Sequence, residues 1–174
     1  MPVVEGSIAV ITTGMRSGSM GLHVDSSGAK QIWENWENDV LSPSHSLPMI
    51  HNGYIYGYSG HSSDYYERDR QGRELQCVDL KTGQLQWKGG PDAGWGTLIY
   101  VDGHLLCLTD KGKLMLVEPK PDEYSKVTEF QTSLNIANSG YPKKSQFVWT
   151  HPVVASGKVY VRYCSQLICY DLIN

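Results

Sequence analysis

Six histidines, four cysteines and a spaced series of acids are the side chains with the most chemical potential in this sequence. The histidines are His23, His45, His51, His61, His104 and His151, and no two of them stand at HxH or HExxH spacing. A zinc hydrolase needs such spacing to bring two imidazoles onto one ion. The cysteines are Cys77, Cys107, Cys164 and Cys169, with no CxxC pair, so a thiolate zinc site is not written here. They read as small core residues, and a Cys164–Cys169 bridge requires the two to face each other across a hairpin. Ser59-Gly60-His61 lacks the G-x-S-x-G elbow of a serine hydrolase. The glycine-rich run Lys88 to Gly96 opens no helix and lacks the GK[ST] ending of a phosphate cradle. The acids Asp25, Asp79, Glu118 and Asp171 recur at one position of a repeat, which points to structure before catalysis.

The repeat is clearest from Glu74 to Lys88, ELQCVDLKTGQLQWK. Leu75, Cys77 and Asp79 alternate with Gln76 and Val78, the period of a strand. Lys81-Thr82-Gly83 is a turn, and Gln84 to Trp87 a second strand. A hairpin this small cannot bury Trp87 unaided, so a neighbouring sheet is expected. Gly21 to Asn35 repeats the pattern: Asp25 and Trp33 are eight apart, as are Asp79 and Trp87. Gly28 stands three residues after its Asp and Gly83 four. A degenerate copy over 113–130 keeps Glu118 and an aromatic, Phe130, and LICYDL at 167–172 matches LQCVDL at 75–80. Upstream of each copy lies a short apolar run, a turn at Gly6, Gly53, Gly103 or Gly157, and another apolar run, at spacings of 47, 50 and 54. Periods of that size mark a repeat architecture.

The predicted units span about 1–36, 47–88, 94–131 and 149–174. Each has four short strands, except that the last is one strand short. No amphipathic helix is predicted. The fold class expected is therefore all-β: a partial β-propeller of about four antiparallel blades in a single domain. Trp95 is placed in the link before the third unit. His51 and His104 flank hairpin glycines and are expected to be exposed. His151 precedes Pro152 near an inner strand and is expected at the mouth of a central channel. The insertion Ser59 to Arg73 is read as a solvated hairpin extension.

Composition agrees. Tyr (11) and Trp (5) outnumber Phe (2), which suits half-buried sheet faces. A net charge of −3 gives no basic footprint for nucleic acid. No run of 18 apolar residues is present to span a bilayer as a helix, and the N-terminus lacks the features of a signal peptide.

CVDLKTGQLQWK resembles the repeat of the pyrroloquinoline-quinone-like (PQQ-like) β-propellers, in which an A-x-D-x-x-TG-x-x-x-W pattern locks blades together. The resemblance implies that Trp33 and Trp87 stack on the next blade's turn. Asp25, Asp79, Asp171, Gly28 and Gly83 would shape those turns. Cys77 replaces the usual Ala, and Phe130 is expected near the third docking position. The order of GYIYGYSG, LQCVDLKTG and GTLIYVDGHLLCLTDKGKLMLVE is similar to the C-terminal half of BamB-like members, which implies a fragment or a half-ring.

In the quinone-dependent dehydrogenases of this superfamily, Glu, Asn and Asp hold the quinone with a metal ion, and many have adjacent cysteines. No such set can be carried onto this sequence, so no cofactor or metal is expected and PQQ is unsupported. The expected function is a non-catalytic protein-interaction scaffold. Alternatives are part of a quinone-dependent dehydrogenase, or a carbohydrate- or polymer-binding propeller. A protein partner is expected, with self-association completing the ring as one form. A periplasmic or otherwise extracytoplasmic setting is implied by the resemblance alone. By loop position, His61, Tyr65, Tyr66, Arg68, Trp95, Tyr141, Trp149 and His151 form the candidate contact surface, because Tyr, Trp and Arg supply most interface energy.

Overall fold

A computed structural model describes residues 2–14, 17–36, 40–43, 45–60, 74–89, 94–137 and 146–172. These residues form fifteen strands in four antiparallel sheets and no helix. The first sheet runs β1 (Val3–Glu5), β2 (Ile8–Thr12), β3 (Ser19–Asp25), β4 (Gly28–Glu34). The second runs β5 (Met49–His51), β6 (Tyr54–Ser59), β7 (Glu74–Asp79), β8 (Leu85–Lys88). The third runs β9 (Gly96–Val101), β10 (His104–Thr109), β11 (Lys113–Glu118), β12 (Ser125–Gln131). The fourth has three strands: β13 (Val153–Ala155), β14 (Lys158–Tyr163), β15 (Gln166–Asp171). Each sheet is an up-and-down meander, the blade of a propeller.

Tight turns set the registers. Asn52-Gly53, Asp102-Gly103 and Ser156-Gly157 each put two residues at positive φ between paired strands, as a type I′ hairpin requires. The first blade departs from this pattern. Gly6 is the first residue of its turn, between Glu5 and its partner Ile8, and alone has positive φ, so it is not equivalent to Gly53.

Alternate residues on each strand face opposite sides, and the blades stack through three apolar layers. Val10, Trp33, Ile55, Val78 and Leu80 join the first blade to the second. Tyr56, Leu75, Cys77, Trp87, Leu98 and Leu105 join the second to the third. Leu106, Leu108, Leu114, Val159, Val161 and Tyr163 join the third to the fourth. Burial pushes the Cys77 and Cys107 thiols up to about 12 and raises the Tyr56 and Tyr58 hydroxyls beside them.

The cysteine expectation needs one correction. Cys77 and Cys107 are buried, but Cys164 and Cys169 are exposed and all four are free. Cys169 holds the position of Cys77, yet it lies on the outer face of the last blade, where no further blade covers it among the described residues. Cys164 sits in the β14–β15 turn while Cys169 pairs with Tyr160, so the two do not face each other across the hairpin.

Candidate functional site

Asp25, Asp79 and Glu118 bond within or across their own turns, and Asp171 pairs with the adjacent strand. The Asp79 carboxylate accepts from Lys81 N (3.0 Å), Thr82 N (2.8 Å) and Thr82 Oγ1 (2.8 Å). Asp25 accepts from Ser27 N at 2.7 Å and from its hydroxyl, which holds the Asp25 carboxyl below its ordinary range. Asp171 pairs with Lys158 at 2.6 Å. Glu118 is paired with Lys120 and accepts from the Ser125 hydroxyl, and both contacts lower its pKa. All four lie at the ends of third strands. Among the described residues, no three His, Cys, Asp or Glu gather at metal-binding distance. Asp25, Asp79, Glu118 and Asp171 therefore do not fit as the ligand set of a quinone and its cation.

The histidines are dispersed. His51 and His104 are half-buried, against the expectation of exposure. The His51 ring stacks on Tyr100 of the neighbouring blade, with centroids 4.5 Å apart, and His104 Nδ1 lies 2.9 Å from the Asp102 carbonyl. His151 is exposed. Of the proposed contact surface, His61, Tyr65, Tyr66, Arg68 and Tyr141 lie outside the described residues. Trp95 is not a surface residue. It is 4% exposed, lies against Gly60 so tightly that a Cβ there would meet its ring nitrogen at 2.0 Å, and packs on Trp149 with centroids 5.5 Å apart. Trp149 is half-buried and also contacts His45 and Phe147. Of the aromatics expected on a binding rim, Trp95 and Trp149 thus pack together, with His45 and Phe147 against Trp149.

The blade-docking residues carry the most structural information. Trp33 lies flat between Gly21 of its own blade and Gly83 of the next. Cβ atoms there would meet its ring at 2.3 Å and 2.6 Å. Its indole N–H donates to the Leu80 carbonyl at 2.8 Å, and Asn35 adds a bond to the Gly83 carbonyl at 2.8 Å. Gly83 also has a φ of +72°, which an L side chain rarely adopts. Gly28 closes the β3–β4 turn at φ +133° with nothing near it, so its role is local. Trp87 repeats the lock one blade on, donating to the Lys120 carbonyl at 2.7 Å and contacting Tyr124.

Phe130 does not continue this series. Trp33 pairs with Gly21 and Trp87 with Cys77, each at the residue preceding a bulge in the third strand's pairing. In the third blade the bulge follows Leu116, and its partner is Thr128. Phe130 lies two residues further, is 49% exposed, and meets Tyr170 edge-on at 5.0 Å. The cause is a register displaced by the longer turn through Pro119 to Tyr124. Polar contacts hold this junction instead: Gln166 bonds both the N–H (2.9 Å) and carbonyl (3.1 Å) of Asn135, and Tyr170 OH accepts from Ser133 N (2.7 Å). Sequence reasoning also missed Gln76. It is fully buried and accepts from Leu41 N at 2.9 Å, tying the inter-blade link to the second blade.

No family model matches the sequence, and no curated protein matches it. Solved structures do. One similar chain is BamB from Moraxella catarrhalis, with a TM-score of 0.62 at 18% identity over 96% of this chain and 44% of that one. Another is a chain in the S. cerevisiae assembly of a Dbp5 variant bound to Nup159, a Gle1 variant, IP6 and ADP. Its TM-score is 0.55 at 13% identity, covering 92% of this chain and 37% of that one. The chain thus spans less than half the length of each. Four stacked antiparallel sheets, the last short of a strand, with this likeness, make the architecture a partial BamB-like β-propeller.

Proposed function

We propose that the chain is a non-catalytic PQQ-like propeller segment that works as a protein-interaction scaffold, with a second copy of itself as one partner. One observation carries the reading: among the described residues, the outer sheet faces at the two ends of the blade stack bear exposed apolar side chains. Val3, Ile8 and Val10 face the second blade, so Val4 (63% exposed) and Val24 (43%) face away, with Ile32 (40%) beside them. At the other end Val153 (55%) and Leu167 (68%) face away from the third blade. Apolar faces of this kind mark interaction surfaces.

Geometry favours a second copy. Strands of 3, 5, 7 and 7 residues at one end and of 3, 6 and 6 at the other, about 4.8 Å apart and about 3.3 Å per residue, give faces of roughly 350 and 240 Å². Together they give roughly 600 Å² per copy, below the ~800 Å² per partner of a standard interface and suited to a weaker, concentration-dependent dimer. The chain matches 44% of the BamB chain, so two copies approximate one ring. The engagement of Asp25, Asp79, Glu118 and Asp171 in turns and ion pairs argues against the dehydrogenase alternative. The burial of Trp95 argues against an aromatic polymer-binding groove at that end of the stack.

Light scattering after size exclusion tests the proposal. Twice the 19.4 kDa chain mass is the expected result. A monodisperse monomer at tens of micromolar would overturn self-association.

A further inference from the structure

Between the third and fourth blades lies a cavity of about 350 Å³, at the lower end of the range of small-ligand pockets. Its walls include Leu114, Leu116, Thr128, Phe130, Tyr170 and Leu172. The repeat explains why it exists. Trp33 crosses from the first blade to the second, and Trp87 from the second to the third; each fills the corresponding space and donates its indole N–H to a carbonyl of the next blade. Register places Thr128 at the equivalent position of the third blade, and Thr128 is exposed. A threonine removes most of the volume that an indole supplies. Phe130, displaced by two residues, covers one side by packing on Tyr170 and leaves the space open.

One element of the acceptor side of the first lock has a counterpart at the third junction. Leu80, whose carbonyl holds the Trp33 N–H, follows Asp79 in LQCVDL. Leu172 follows Asp171 at the same place in LICYDL, and Leu172 lines the cavity. Two carboxylates also lie on the wall and both are paired: Glu129 with Lys113 (2.9 Å) and Lys126 (2.7 Å), and Asp171 with Lys158 (2.6 Å). The opening therefore asks for no charged group. It asks for a flat apolar ring with one N–H donor.

We propose that the cleft between Thr128 and Leu172 is a binding site for an indole side chain presented by a partner polypeptide, which completes in trans the blade lock that Trp33 and Trp87 complete in cis. This deepens the scaffold reading and rests on it: the partner docks at the third junction by supplying the missing tryptophan. Among the described residues, two of the three junctions already contain an indole that donates its N–H to a carbonyl of the next blade, that of Leu80, one residue after Asp79, and that of Lys120, two residues after Glu118.

The test uses the full chain with methyl-labelled Leu and N-acetyl-tryptophanamide as the probe, read by NMR titration. Saturable shifts at Leu114, Leu116 and Leu172 are expected, with at least tenfold weaker binding of N-acetyl-leucinamide. Thr128→Trp should fill the cleft from within, abolish probe binding and raise the urea midpoint. Leu172→Glu, at the exposed mouth, is the second variant and should weaken binding at least tenfold. Absence of saturable shifts, or binding unaltered in both variants, overturns the proposal. Solution mass measured on the same samples separates the two readings: an intact dimer without indole binding leaves the scaffold standing and removes the cleft.

Discussion

Trp33 and Gly83 should behave as one unit, and a double-mutant cycle measures this directly. Trp33→Ala removes a 7%-exposed indole, its bond to the Leu80 carbonyl and its packing on two glycines. Large aromatic truncations of this kind cost about 3–5 kcal/mol. Gly83→Ala has two costs. The left-handed backbone costs an L residue about 1–2 kcal/mol. The new Cβ meets the Trp33 ring at 2.6 Å, and such overpacking adds about 1–3 kcal/mol. With Trp33 already gone, only the backbone part remains. The double variant should thus be more stable than the sum of the singles predicts, by roughly 1–3 kcal/mol. Trp33→Phe separates the hydrogen bond from the bulk and should cost about 1–3 kcal/mol through the unpartnered Leu80 carbonyl. Urea unfolding followed by far-UV circular dichroism gives these values. At a slope of about 2 kcal/mol/M, Trp33→Ala should lower the midpoint by roughly 2 M. Additivity within about 0.5 kcal/mol would refute the stacked geometry at this junction.

Two further expectations follow from titratable groups. Glu118, Glu129 and Asp25 have lowered pKa values, through hydrogen bonds from Lys120 and Ser125, from Lys126 and Lys113, and from Ser27 respectively. A lowered carboxyl binds fewer protons folded than unfolded, so its contribution is full above the ordinary range near pH 4 and is lost as pH falls through the folded value. The urea midpoint should therefore decline from about pH 5 to pH 3, and Glu129→Gln should flatten that decline; an equal slope in the variant would refute the assignment. Lys120, raised by its Glu118 partner, contributes in the opposite sense and loses its effect only as pH rises past the ordinary lysine range. At about pH 8, DTNB should modify the exposed Cys164 and Cys169 promptly, and Cys77 and Cys107 only after denaturation, because burial holds those thiols protonated and out of reach. Four prompt equivalents would contradict the packed second and third blades.

The blade count, the strand order and the missing last strand were all legible in the sequence, because each rests on local chemistry. Gly53, Gly103 and Gly157 close their hairpins wherever the blade sits in the stack. Asp79 bonds Lys81 and Thr82, its own neighbours. Such signals survive without tertiary information. Faces were harder to read. Cys77 and Cys169 occupy the same motif position, yet one is buried and the other exposed, because among the described residues only Cys77 is packed against a neighbouring blade. Trp95 looked like a rim aromatic, but Gly60 on the adjacent blade admits its ring.

The third junction shows a different limit. Counting from Glu118 to the next aromatic reaches Phe130, and the count is sound as far as it goes. It fails because pairing, not spacing, decides which residue crosses to the next blade. The bulge at Leu116 and the extended turn after Glu118 shift the crossing position to Thr128. A propeller repeat tolerates that substitution at one junction because Gln166, Asn135, Ser133 and Tyr170 supply other bonds there. What those bonds leave unmade is the apolar fill, and the energetic consequence has a definite sign. An indole entering the space between Thr128 and Leu172 gains burial against Leu114 and Leu116 at little cost in rearrangement, since the cavity already stands open. The same indole offered to either of the first two junctions would have to displace Trp33 or Trp87 from a buried hydrogen bond. Binding should therefore be confined to one junction of the three.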